Sequence, residues 1–112
     1  MALLPNEIIV TVFELQQQLL NIIHEATATQ FIILERYGET DVTLMDLEQL
    51  DNVRERADNY YPRFSTLLRQ IASSQPSASP ATMQLLQRSI EDAQSTVSAL
   101  EATIREVKED WS

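Results

Sequence analysis

A chain of 112 residues, 44% hydrophobic and 22% charged, has the composition of one soluble globular domain, which argues against wholesale disorder. A net charge of −9, with eight basic residues of which Lys108 is the one lysine, disfavours nucleic acid and anionic membranes, because both are bound through Lys and Arg. No cysteine means no disulfide and no thiolate metal site, which fits a cytoplasmic or other reducing intracellular compartment; a single glycine and four prolines favour a few long elements over the turns of sheets.

The first residues, Met1-Ala2-Leu3-Leu4-Pro5-Asn6-Glu7, lack a basic region before the apolar one, so no signal peptide is expected. A first helix is predicted over 6–37. Asn6 can cap it, or Pro5 can stand at its first position, and Gly38 sits where a left-handed residue ends a helix. One apolar stripe runs Ile8, Val12, Leu15, Leu19, Ile22, Ala26 and Ile33. A second runs Ile9, Phe13, Leu20, Ile23, Phe31 and Leu34. Together they predict a broad face that touches two other helices. The ends exceed even this. Ile8-Ile9-Val10 and Phe31-Ile32-Ile33-Leu34 are consecutive apolar runs that sweep much of the helix circumference, and Val10 and Ile32 fall on the face otherwise marked by Glu14, Gln17, Asn21 and Glu25. Such excess apolar surface predicts that another protein chain, a second copy or a different helical subunit, covers helix 1. Glu14, Gln16-Gln17-Gln18 and Asn21 also keep the segment from reading as a membrane span, and no membrane insertion is expected.

Glu39-Thr40-Asp41-Val42 is a short polar connection. Thr43 with Asp46 resembles a capping box, and a second helix is predicted over 43–72. Its stripe is Leu47, Leu50, Ala57, Tyr61, Phe64, Leu68 and Ile71, interrupted by Arg54. Arg54 is expected to snorkel to solvent, the other choice being an acid on a facing helix. Pro62 has no N–H for the Asp58 carbonyl, so a kink or short break is expected there, filled by Tyr60, Tyr61 and Phe64. The acidic run Glu39, Asp41, Asp46, Glu48, Asp51 suits the start of a helix and solvent.

A Ser/Pro linker over 73–79 leads to a third helix over 80–111, capped by Ser79 with Pro80 at its first position. Its seam is unbroken: Met83, Leu86, Ile90, Ala93, Val97, Leu100, Ile104, Val107 and Trp111. Alone, this heptad pattern favours a parallel two-stranded coiled coil. The flanks Gln87, Ser89, Gln94, Thr96 and Thr103 are small or neutral, however, and point to packing against two neighbours inside one bundle. The whole predicts an all-α fold: an elongated, antiparallel, up-down-up three-helix bundle with coiled-coil-like packing, associating through helix 1, each helix about 45 Å long. In helix number and length it is similar to spectrin-type three-helix repeats. Their first-helix tryptophan has no counterpart here, the one tryptophan being Trp111, and a likeness of shape implies nothing about partners.

Chemistry-bearing patterns are few. His24 is the sole histidine; His24-Glu25-Ala26-Thr27-Ala28 opens like a zincin helix but has alanine in place of the second ligand. Phosphotransfer domains place lysine and glycine shortly after their histidine, where Thr27, Ala28 and Thr29 stand here. The pairs Asp51/Glu55 and Glu35/Glu39 lack the Glu-x-x-His companions of di-iron bundles. The acidic run lacks the ligand spacing of a calcium loop. No catalytic residue, cofactor or metal is expected, and the chain reads as a non-catalytic scaffold or adaptor acting through apolar helix surfaces. The alternatives are an acidic inhibitor or nucleic-acid mimic on a basic site, and a regulatory phosphotransfer-like bundle using His24.

Overall fold

In the computed structural model, which describes residues 6–74 and 78–111, three helices pack pairwise along their lengths: α1 (Asn6–Tyr37), α2 (Asp41–Ala72) and α3 (Pro80–Asp110). The body measures 57 × 18 × 17 Å, the rod expected of helices of this length running up, down and up. Pro5 and the residues before it, Gln75-Pro76-Ser77 of the linker and Ser112 lie outside the described residues.

Each connection has a local cause. At the end of α1, Gly38 adopts φ +72° and donates its N–H to the Leu34 carbonyl at 3.0 Å, the left-handed close that the sequence predicts. The start of α2 differs from expectation: it begins at Asp41, and the cap is Thr40, one turn before the predicted Thr43. Thr40 Oγ1 accepts the Thr43 N–H at 3.1 Å, and Thr43 Oγ1 accepts the Thr40 N–H at 2.8 Å while lying 2.9 Å from the Gly38 carbonyl. A buried threonine thus fills the reciprocal role usually given to Glu, so Asp46 is left for another use. Ser79 caps α3 as predicted, accepting the Thr82 N–H at 3.1 Å.

The core is one continuous column. From α1 come Val12, Leu15, Leu19, Ile22, Ala26 and Ile33; from α2 come Leu47, Leu50, Val53, Ala57, Phe64, Leu67 and Ile71. The α3 seam from Leu86 to Val107 lies wholly in the core, with Met83 and Trp111 half-buried at its ends. Ser89 and Thr96 beside it are buried too, because α3 packs against two helices where small flanks are needed. On α2 the predicted stripe holds at Leu47, Leu50, Ala57, Phe64 and Ile71; Val53 and Leu67 join it in the core, while Tyr61 and Leu68 are only partly buried. α2 runs through Pro62 without a break. Pro62 faces out, and the half-buried Tyr60 packs on the core under the guanidinium of Arg63, 5.1 Å from the ring centre. No helix among the described residues is long and apolar enough to cross a membrane.

Candidate interaction surface

Successive residues of a helix point about 100° apart, so the register of the α1 core decides what else α1 must show. With Val12, Leu19 and Ala26 facing inward, Gln16, Thr29 and Gln30 complete the buried arc. Two neighbours at the corners of a triangle cover that arc and no more. Phe13, Leu20 and Phe31 lie beyond it, and Phe13 and Phe31 are 57% and 64% exposed. The expectation that both stripes of α1 meet α2 and α3 is therefore corrected: the first does, and of the second Ile23 alone packs against the core. Among members of the second, Ile9 and Ile23 are half-buried, and Phe13, Leu20, Phe31 and Leu34 are exposed.

The seven residues predicted for association divide in the same way. Ile33 is in the core and Ile8 packs against it, so neither is an outer-face residue. Ile9 is half-buried. Val10, Phe31, Ile32 and Leu34 are exposed, with Val10 and Ile32 on the polar side as expected. Phe13 and Leu20, which the predicted set lacks, join the outer face. Uncovered apolar surface thus runs along α1 and is not confined to its ends.

A row of polar contacts separates this outer face from the core on the α2 side. Gln16 Nε2 donates to the Tyr61 carbonyl (3.2 Å) and to Ser65 Oγ (3.1 Å). Two heptads on, Gln30 Nε2 donates to the Leu47 carbonyl (3.1 Å) and to Asp51 Oδ1 (2.7 Å), while Arg54 Nη1 donates to Gln30 Oε1 (3.1 Å). Arg54 therefore does not simply snorkel. It meets an amide of the facing helix and lies 3.7 Å from Asp51 of its own helix. Among the described residues no buried side-chain N or O lacks a partner, and both glutamine amides are spent in fixing how α2 sits against α1. The fourteen-residue spacing of Gln16 and Gln30 at the edge of an apolar face was the available signal in the sequence.

At the Gly38 end the three helices are joined by polar contacts. Trp111 Nε1 donates to Asp46 Oδ2 at 2.6 Å, and its ring lies 4.8 Å from that of Tyr37. On the α3 side of α1, Lys108 donates to the Glu25 carboxylate and, by hydrogen bond and charge, holds that carboxyl below its ordinary range. His24 is exposed on α1. No group of three or more His, Cys, Asp or Glu among the described residues is placed to hold a metal ion. Compared with known proteins, the chain matches no family model, no curated sequence and no solved structure.

Proposed function

We propose that the protein is a non-catalytic helical assembly subunit, a scaffold or adaptor that receives another protein chain on the outer face of α1. The observation behind this is the line of exposed apolar side chains along α1, Phe13, Leu20, Phe31 and Leu34, with the partly buried Ile9 and Ile23 between and beside them. The other helices expose Val42, Leu44 and Met45 at the start of α2 and Leu85 on α3, but no such line along their length. Apolar surface of this extent, rimmed by polar groups, costs solubility unless a partner covers it. Neighbouring Gln16 and Gln30 hold the helix rigid from behind, so a partner meets a face already ordered.

Crosslinking in native extract, comparing wild-type bait with Leu20→Asp/Phe31→Asp bait, tests the proposal. A defined partner held by the first and lost by the second is expected, and it should persist at about 0.5 M salt, where the Debye length is about 4 Å. The same partner on both baits, or none on either with a monomer in sedimentation, refutes it. Loss of the partner at high salt with the surface variant still binding supports the acidic-inhibitor alternative, which rests on the charge of −9. A regulatory role for His24 falls if His24→Ala leaves partner binding intact and no phosphohistidine is found.

A further inference from the structure

The apolar face of α1 has a charged border on α2. Glu48, Asp51, Glu55, Asp58 and Pro62 recur at steps of three and four, one line along the helix, and the four acids are all exposed. Asp51 shows where that line lies: its carboxylate accepts from Gln30 of α1. Ile23 of the outer stripe lines one shallow depression together with Asp51, Glu55 and Asp58. Arg54, the basic residue of the depression, is already engaged by Gln30 and Asp51. Across the stripe, the opposite border of α1 carries Gln17, His24 and Glu35, all exposed and without Lys or Arg. The face is therefore an apolar track with one strongly acidic bank and one weakly acidic bank.

We propose that the occupant is an amphipathic helix of a different protein, apolar on one side and carrying Lys or Arg along its flank; this rests on the docking role proposed above for α1. The acidic row from Glu48 to Asp58 is about 15 Å long, so basic residues at two or three successive turns of the partner would reach it. A second copy of this chain fits less well. Docked antiparallel, stripe on stripe, it sets one acidic row along the other; docked parallel, it sets the row against Gln17, His24 and Glu35. Arg69, further along the α2 line towards the Ile9 end, is the countercharge available to a copy, against a net charge of −9 on each chain.

Two synthetic amphipathic peptides with the same leucine face, one flanked by lysine and one by glutamate, test this with the full chain by fluorescence anisotropy. The lysine peptide should bind and the glutamate peptide should not. Leu20→Asp/Phe31→Asp should abolish binding, and Glu48→Gln/Glu55→Gln/Asp58→Asn should weaken it about tenfold. Glu91→Gln/Glu101→Gln/Glu106→Gln on α3, which removes the same charge elsewhere, should leave it unchanged. Circular dichroism checks that each variant is helical. Equal weakening by the α3 variant overturns the proposal, because charge alone would then explain binding. Equal binding of both peptides removes the basic partner but keeps the docking face. Failure of both peptides, together with self-association in sedimentation that Leu20→Asp/Phe31→Asp removes, assigns the face to a second copy and overturns the proposal. Failure of both peptides with a monomer overturns it together with the docking role.

Discussion

The chain's three phenylalanines sit in different surroundings, and truncating each to alanine separates core from docking surface. Phe64 is 0% exposed, whereas Phe13 and Phe31 are 57% and 64% exposed. Phe64→Ala removes a ring from the middle of the bundle and leaves a cavity, at about 4 kcal/mol. At about 2.1 cal/mol/K per residue the unfolding entropy of 112 residues is about 0.24 kcal/mol/K, so Tm should fall by about 17 °C. For Phe31→Ala only about a third of a ring leaves contact, worth about 0.7 kcal/mol, and alanine's better helix propensity returns about 0.5 kcal/mol. The net change should lie within about 0.5 kcal/mol, or about 2 °C, and Phe13→Ala should behave the same way. Urea unfolding followed by far-UV circular dichroism in dilute protein measures all three. A loss above about 2 kcal/mol for Phe13→Ala or Phe31→Ala would mean that these rings are packed inside the fold, leaving no apolar outer face for a partner to dock on. A loss that grows with protein concentration would instead show copies covering one another.

Gly38→Ala tests the α1–α2 turn. Among the described residues no atom beyond its two chain neighbours lies within 4 Å of the added Cβ, so the cost is the left-handed backbone alone, about 1–2 kcal/mol in the same unfolding assay; a neutral result would mean that the turn relaxes to another conformation. Glu25 should titrate below the ordinary carboxylate value of 4.5 in NMR, and Lys108→Met should restore it. Because the folded-state value is the lower one, this pair stabilises above the unfolded pKa and its contribution fades as pH falls through the folded pKa. Both side chains are about half exposed, so the loss should stay under about 1 kcal/mol and shrink with added salt. A Glu25 titration unchanged by Lys108→Met would remove the ion pair from the account.

The α3 seam was legible because a fully apolar heptad has one possible inward direction, and its neutral flanks distinguished an internal spine from a zipper. Gly38 and Ser79 were legible because their chemistry fits only helix ends. The α2 stripe was harder. Val53 and Arg54 are adjacent and both extend a three-four spacing; Val53 turns into the core, and Arg54 lies at its edge on Gln30 of α1. Thr40 lost to Thr43 in the sequence because Asp46 completed the usual pattern, while a threonine can serve as the third member too. For α1 the excess of apolar residues was visible, but its location was not: which of two equally apolar stripes faces inward depends on how far two neighbours reach round, a property of the assembled triangle.

Trp111 has a consequence for how the bundle opens. The chain ties α3 to the helical pair at its Pro80 end, and at the other end the last contact of α3 is Trp111, its indole between Tyr37 and Asp46 beyond the Lys108–Glu25 pair. As the one tryptophan, it emits from the spot where all three helices meet. Its fluorescence and the far-UV signal of the whole rod should lose native character together if unfolding is all-or-none. If the emission changes first, α3 is peeling from its Trp111 end while the α1–α2 pair stays folded, and the molecule carries its own gauge of that partial opening.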